Sequence, residues 1–207
     1  IPAIESLLKN DMYILADDMG LGKTTSAVIA SIIEKNKRTL IVCPASLKIN
    51  WKREIENYTD EEVDIIEGKK WKEGKFIIIN YDILKNFHSF KDNSVRTLLD
   101  SGIERIIIDE AHYISNPKAQ RTKIINQIAN KLGKVWLLTG TPMTSRPINY
   151  YNLLKLVNSR VANNWITYVS RYCEGRQFRG PNGRKIWNVN GASNLEELRD
   201  RTQDKII

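Results

Sequence analysis

Two tracts of three consecutive isoleucines, Ile77-Ile78-Ile79 and Ile106-Ile107-Ile108, set the tightest limit on how this chain can fold. Side chains along a strand point alternately to the two faces of a sheet, so a strand that is apolar at every position is buried on both sides. Sheets covered on both faces are mostly parallel, with helices carrying the chain from the end of one strand to the start of the next. The rest of the sequence keeps that rhythm. Apolar runs at residues 12–16, 39–43, 63–66, 76–79, 103–108 and 135–138 predict strands, and helix-period patterns lie between several of them. Residues 23–34 predict a helix apolar nearly all round, and a second helix from Ser46 places Leu47, Trp51, Ile55 and Tyr58 on one face. A weakly patterned helix is expected near residues 95–99. Asn116-Pro117 predicts an N-cap with proline in the first turn, opening a helix with Ile124, Ile125, Ile128 and Leu132 inward. After about residue 147 the alternation stops. Mostly helical pattern remains, broken by a Gly/Asn/Arg-rich stretch at residues 175–191, and Asn194-Leu195-Glu196-Glu197 predicts a capping box for a final helix.

At 207 residues the chain has room for one large domain, or one domain and an appendage. No apolar run approaches the length of a membrane span, and Ile1-Pro2-Ala3-Ile4-Glu5 lacks the pattern of a signal peptide, so no membrane partner is expected. The only cysteines, Cys43 and Cys173, and the only histidines, His88 and His112, exclude a disulfide framework, a cysteine zinc site and a histidine-rich metal centre. A reducing, intracellular compartment and no disulfide-linked partner follow from that usage. The 32 basic and 24 acidic residues leave a net charge of +8, which points to a polyanionic partner. Half of that excess is local: Arg171, Arg176, Arg179, Arg184 and Lys185 face one carboxylate, Glu174, within residues 171–185.

Three short segments carry chemistry, each just past a predicted strand. Asp17-Asp18-Met19-Gly20-Leu21-Gly22-Lys23-Thr24 stands between the first strand and the first helix of the alternating pattern. Glycines let backbone N–H groups curl around phosphates at the positive end of a helix. Lys23 would reach the β- and γ-phosphates, and the Thr24 hydroxyl would hold Mg²⁺. A full phosphate-loop motif has glycine where Asp17 stands, so the match is to the Gly-Lys-Thr half. Asp109-Glu110-Ala111-His112 closes the strand of residues 103–108, setting two carboxylates at the carboxyl edge of the sheet, where ligands of open α/β sheets bind. Asp109 would hold Mg²⁺ through water, and Glu110 would orient and deprotonate an attacking water. In Leu138-Thr139-Gly140-Thr141-Pro142, two hydroxyls around a glycine can meet phosphate or the carboxylate pair; alone the segment reads equally as a turn.

Together these segments resemble motifs I, II and III of the first RecA-like lobe of superfamily-2 helicases, specifically the SWI/SNF-type DNA-dependent ATPases. Pro44-Ala45-Ser46-Leu47 followed by Trp51 resembles motif Ia, and Asn80-Tyr81-Asp82 stands in the place of motif Ib. Tyr172-Cys173-Glu174 and Gly191-Ala192-Ser193-Asn194-Leu195-Glu196-Glu197-Leu198 are similar to the corresponding stretch of HARP-type annealing helicases. The resemblance implies an α/β fold, a three-layer RecA-like P-loop lobe over residues 1–157 with a mainly parallel sheet, followed by a mostly helical basic appendage at 158–207. It implies ATP and Mg²⁺ as cofactors, with Asp18, Gly20, Leu21, Gly22, Lys23, Thr24 and Thr25 around the nucleotide. Lys23, Asp109 and Glu110 would be catalytic, with Thr24 and Asp109 at the metal. His112, Thr139, Gly140 and Thr141 would couple the ATP site to DNA. Ser46, Lys48 and Tyr81 would touch DNA; Lys48 reads equally as a solvated surface lysine. The basic run with Tyr172, Phe178 and Trp187 interleaved would supply Arg176, Arg179, Arg184 and Lys185 to phosphates, or else simply face water.

The expected activity is ATP-driven translocation on double-stranded or branched DNA, of remodelling or annealing type. Alternatives are a strand-separating helicase, a restriction-system motor subunit, or a nucleotide-responsive DNA-binding module without turnover. Two family features are missing: the adenine-reading glutamine before Ile1, and a lysine where Ser115 stands. Nothing after Thr141-Pro142 resembles the second lobe whose arginines complete the ATP site, so a longer chain carrying that lobe is expected, and weak turnover from this portion alone. Such a protein would be cytoplasmic in a bacterium or virus, nuclear in a eukaryote.

Overall fold

The computed structural model describes residues 2–16, 20–35, 37–87, 101–140, 146–180 and 183–207. Six strands form one sheet: β1 (Met12–Leu15), β2 (Arg38–Cys43), β3 (Val63–Ile65), β4 (Phe76–Asn80), β5 (Ile103–Ile108) and β6 (Val135–Leu138). Their order is β1-β6-β5-β2-β4-β3 and every pairing is parallel. All six runs expected from the sequence are strands, within a residue or so at their ends. Beyond the edge at β1, the chain's last residues add to the sheet: Ile14 pairs with Ile206, and Ala16 N donates to Ile207 O at 2.6 Å.

Both faces of the sheet are buried, as the isoleucine tracts require. Leu40, Val42, Ile77, Ile79, Ile106, Ile108, Val135 and Leu137 point to one core, and Ile41, Cys43, Ile78, Ile107, Trp136 and Leu138 to the other. The second core is closed by helices α1 (Pro2–Lys9), α2 (Lys23–Ile33) and α3 (Lys48–Glu56), through Leu7, Ala27, Val28, Trp51 and Ile55. The first is closed by α4 (Gln120–Leu132), α5 (Ile148–Leu156), α6 (Trp165–Tyr172) and the short α7 (Leu195–Asp200). Among the described residues no helix is long and apolar enough to cross a membrane.

Helix ends depart from the sequence reading in physically clear ways. Asn116 does not cap α4: its Oδ1 accepts from Lys118 N at 3.0 Å in a turn, and the helix starts later, with extended Ala119 before Gln120. Ile124, Ile125 and Ile128 are buried in α4 as expected, with Leu132 at the margin. Tyr58 lies past the end of α3 and is 48% exposed, so it is not on the buried face with Trp51 and Ile55. Ile33 is exposed too, which leaves α2 less apolar-buried all round than its composition suggests. The helix expected near residues 95–99 lies outside the described residues.

The appendage docks on the sheet rather than standing apart. Tyr168, Val169, Tyr172, Cys173 and Leu198 join the same buried cluster as Ile108 and Ile114, so residue 157 marks a change in motif content and not a gap in packing. The Gly/Asn/Arg-rich stretch contains an antiparallel hairpin, β7 (Arg176–Arg179) with β8 (Lys185–Asn188). No capping box forms at α7. Asn194 is left-handed (φ 49°) and donates from Nδ2 to Arg171 O at 2.7 Å. Glu197 instead accepts from Arg171 Nη2 at 2.5 Å, from Tyr172 OH at 3.0 Å and from Arg201 Nη1 at 3.2 Å. Arg171 therefore belongs to a surface ion network with Glu197 and not to the basic patch.

A second network lies at the amino-terminal edge of the sheet. Arg105, fully buried in β5, reaches Glu34 at 2.7 Å with its guanidinium 4.4 Å over the Trp136 ring. Lys134 bridges the same Glu34 at 2.5 Å and Asp11 at 3.1 Å. Burial holds the Arg105 guanidinium down at about 10, against the pull of Glu34.

Candidate active site

The strand order decides which motifs meet. Motif I follows β1, motif III follows β6 and motif II follows β5; these three strands are neighbours in that order. Motif Ia follows β2, beside β5, and motif Ib follows β4, beside β2. The carboxyl edge thus presents motifs I, II and III on one half and motifs Ia and Ib on the other, with Asp109 at the seam.

On the nucleotide half, a cleft of about 320 Å³ is lined by Gly20, Gly22, Lys23, Thr24, Leu47, Asp109, Glu110 and Gly140. Gly20 (φ 84°) and Gly22 (φ 74°) are left-handed, and a Cβ at either would meet nothing within 4 Å. The glycines are needed for backbone conformation, not for space. That turn delivers the chain into α2 at Lys23, whose first-turn N–H groups form the positive end of an eleven-residue helix. The Leu21 side chain, between the two glycines, is 65% exposed. Thr25 is turned away: its hydroxyl donates to the Glu54 carboxylate on α3, so its side chain is not a nucleotide contact. Asp18 and Thr141 lie outside the described residues.

Asp109 is held from four directions. Its N–H donates to Val42 O at 2.8 Å, and its carbonyl accepts from Tyr81 OH at 2.5 Å. Its carboxylate accepts from Trp51 Nε1 at 2.8 Å and from Glu110 N at 2.9 Å. Burial raises the Asp109 carboxyl above the usual range; the Trp51 and Glu110 hydrogen bonds and the Lys23 ammonium pull it back, while the Glu110 charge adds to the rise. Glu110 has φ 49°, a left-handed conformation that costs a non-glycine residue of order 1 kcal/mol or more. The kink sets its carboxylate on the cleft wall, 3.1 Å from His112 Nδ1. Thr139 is buried at the end of β6 and its N–H donates to Leu15 O at 3.0 Å, tying motif III to the strand that carries motif I. Gly140 reaches the cleft.

The donor set suits a magnesium nucleotide. A hydroxyl and two carboxylates are hard oxygen donors, and Mg²⁺ in nucleotide sites takes one or two of these, with phosphates and waters completing its shell. Among the described residues no group of three or more His, Cys, Asp or Glu side chains gathers as a self-contained metal cage. Thr24 and Asp109 would hold the metal, which would polarise the terminal phosphate; Lys23 would neutralise phosphate charge and Glu110 would orient water.

Two further residues belong to this site. Trp51, legible as an apolar position on α3 and as the residue that completes the motif Ia resemblance, also brings a buried indole whose N–H needs an acceptor, and Asp109 supplies it. Tyr81 is not a surface contact for DNA: it is 4% exposed, stacks on Tyr113 at 5.2 Å and spends its hydroxyl on Asp109. Of the other DNA candidates, Ser46 is exposed at the start of the motif Ia segment, while Lys48 is half-buried with Nζ 3.2 Å from Ile66 O. Arg176, Arg179, Arg184 and Lys185 are all exposed on the β7–β8 hairpin, remote in sequence from the cleft motifs.

Comparison with known proteins agrees with this geometry. A family model described as "SNF2-related domain" matches residues 6–203. The human "DNA annealing helicase and endonuclease ZRANB3" is 31% identical over 217 residues, covering 99% of this chain and 19% of its own length. A Caenorhabditis elegans "SWI/SNF-related matrix-associated actin-dependent regulator of chromatin subfamily A-like protein 1 homolog" is 31% identical over 206 residues, covering 94% of this chain and 28% of its own. The chain thus spans about a fifth to just over a quarter of the length of these relatives. Among solved structures, the "Sulfolobus solfataricus SWI2/SNF2 ATPase core in complex with dsDNA" superposes with a TM-score of 0.70 over 99% of this chain and 41% of its own, at 21% identity, a likeness of fold.

Proposed function

Because the chain belongs to the SNF2-related domain family, we propose that it is the ATP-binding lobe of a DNA-dependent ATPase that translocates on double-stranded DNA. The observation that carries this is the seam at Asp109. One residue of the nucleotide cleft accepts from Trp51 after motif Ia at its carboxylate and from Tyr81 of motif Ib at its backbone carbonyl, so the segments that carry motifs Ia and Ib are packed directly against the cleft. Lys23 and Thr24 bind the phosphates and Mg²⁺, Asp109 holds the metal, and Glu110 activates water. His112, Thr139, Gly140 and Thr141 link the cleft to DNA, with Ser46 and Lys48 on the duplex backbone. A second RecA-like lobe closing on ATP supplies the missing arginines, and the relative motion of the two lobes moves the DNA. The similarity to annealing helicases favours remodelling or annealing over strand separation. Such work is done inside the cell, in the nucleus of a eukaryote or the cytoplasm of a bacterium.

The test is nucleotide binding and steady-state ATP hydrolysis with no DNA, single-stranded DNA and duplex DNA, beside Lys23→Ala and Glu110→Gln. This chain alone is expected to bind ATP in a Lys23-dependent way with little turnover, and duplex-stimulated, Glu110-dependent turnover appears once a second lobe is present. Nucleotide binding indifferent to Lys23→Ala would remove the reading.

A further inference from the structure

A second cavity, of about 310 Å³, opens between α4, α5 and the turn at residues 158–163. Asn158 on its wall donates from Nδ2 to Met12 Sδ at 3.0 Å, where β1 begins, and Asn130 stands in the last turn of α4, shortly before β6. The cavity therefore lies toward the amino edge of the sheet, whereas Lys23, Asp109 and Gly140 follow the carboxyl ends of their strands. Five of its lining residues are asparagines and Lys155 brings the one charge, so the wall is polar but nearly neutral. Neither a carboxylate nor an aromatic ring is among the described lining residues.

A chain of hydrogen bonds fixes which way the amides point. The carbonyl of Ile114 can only accept, so Asn152 turns its Nδ2 toward it, at 2.8 Å, and leaves its Oδ1 for Asn126. Asn126 Nδ2 donates to that oxygen at 3.3 Å, which leaves Asn126 Oδ1 buried on the cavity wall with no partner among the described residues. Ser159, also on the wall, is 2% exposed and its hydroxyl is likewise unpartnered. It precedes the short turn Arg160–Ala162 in the cap position, yet its side chain caps nothing. Buried polar atoms are almost always paired, so two orphans on one cavity wall mark a place for a ligand to satisfy.

These atoms select the ligand's chemistry. Asn126 Oδ1 needs a donor, which excludes sulfate, phosphate and carboxylate as its partner, and Lys155 repels an ammonium. A hydroxyl donates and accepts at once, and neighbouring hydroxyls match the two ends of a carboxamide. A flat base would find no ring to stack on, only Leu156 and Ala162. We propose that this cavity binds a neutral, hydroxyl-rich small molecule, of the class of a monosaccharide or cyclic polyol, anchored by Asn126 and Ser159. Its size is at the small end of ligand pockets, which run from roughly 300 to 1,000 Å³. Through Asn152 the anchor is two hydrogen bonds from the Ile114 carbonyl, so the site is joined to the segment that leaves Glu110 without touching the cleft.

The experiment titrates this chain with glucose, myo-inositol, inorganic sulfate and uracil, following the asparagine side-chain amides in proton–nitrogen correlation NMR spectra. Polyols stabilise folded proteins generally by exclusion from their surface, so saturable shifts, not melting temperatures, define binding. Glucose or myo-inositol is expected to shift the Asn126 and Asn152 amides saturably, with a dissociation constant of roughly 1 mM or below, while sulfate and uracil leave them in place. Ser159→Ala and Asn126→Ala are each expected to weaken that binding about fivefold. Ser159→Ala should melt no lower than the wild type, because its hydroxyl bonds to nothing in the fold. Shifts that stay linear with both polyols, or saturable shifts that both variants leave unchanged, overturn the proposal. Saturation by sulfate or uracil instead overturns the ligand class, and displacement of the polyol by MgATP overturns the location. A destabilised Ser159→Ala chain shows that the hydroxyl serves the fold and overturns its role as an anchor.

Discussion

Trp51 Nε1 donates to Asp109 Oδ2 across 2.8 Å in the interior of the lobe, joining a helix that follows motif Ia to the cleft carboxylate of motif II. A hydrogen bond to a charged acceptor is worth about 1.5–3 kcal/mol. Trp51→Phe keeps most of the ring volume and removes the donor. ATP affinity in Mg²⁺ is expected to fall about tenfold, the equivalent of 1.4 kcal/mol, while affinity in EDTA moves less than twofold. Calorimetric titration in the two buffers reads both numbers, and an equal loss in both would show a packing effect with no bearing on Asp109.

Asp109→Asn separates stability from function. Burial is the largest influence on the Asp109 carboxyl and it disfavours the charged form, so the folded protein binds that proton more tightly than the unfolded chain does. Neutralising the group relieves that penalty; the asparagine oxygen can still accept from Trp51, at the cost of the local bond from Glu110 N. The free energy of unfolding is expected to rise, by roughly 0.5–2 kcal/mol as for other stabilising changes, while Mg²⁺-dependent nucleotide binding is lost. Urea unfolding of the two proteins at neutral pH decides it; a destabilised variant contradicts the sign.

Glu34→Ala tests the ionic network at the other edge of the sheet. Glu34 is the shared partner of Arg105 and Lys134, and Arg105 is fully buried. Removing one partner of a buried pair leaves an uncompensated charge and costs roughly 3–5 kcal/mol, far beyond the loss of an exposed ion pair. Denaturant titration should show that scale of loss, with less loss when Arg105→Met accompanies it.

Glu197→Gln tests how the appendage is fastened. Hydrogen bonds from Arg171, Tyr172 and Arg201 pull the Glu197 carboxyl down from 4.5 to about 2. A lowered folded-state value means that the contribution is complete above the unfolded value and disappears as pH falls through the folded one. The melting temperature of the wild type should therefore exceed that of the variant at pH 7, and the difference should shrink between about pH 4.5 and pH 2. A pH-independent difference would assign the effect to packing.

The sheet and the cleft were legible because both are written in local pattern. Continuous apolar strands announce a doubly covered sheet, and Gly-Lys-Thr and Asp-Glu each follow a strand, where the fold needs them. What sequence missed depends on partners far along the chain. Asn116 and Asn194 have the right residue type for caps, but a local turn satisfies one and the Arg171 carbonyl claims the other. Tyr81 stands where a DNA-facing residue was expected, yet Asp109, 28 positions on, takes its hydroxyl. The hairpin at Arg176–Arg179 and Lys185–Asn188 has all but one of its residues in contact with solvent, so no apolar alternation marked it as strand.

The last residues of the chain have a bearing on behaviour in solution. β1 is the outermost named strand at one edge of the sheet, four residues long and largely apolar, and Lys205 to Ile207 lie along its outer side through Ile14 and Ala16. An uncovered strand of that kind displays a row of N–H and C=O groups on which another molecule can template itself. That short cover masks such a row immediately before the glycine turn. Peeling it away would convert the glycine-turn end of the lobe into an adhesive seam, and self-association, rather than unfolding, would be the first sign of its loss.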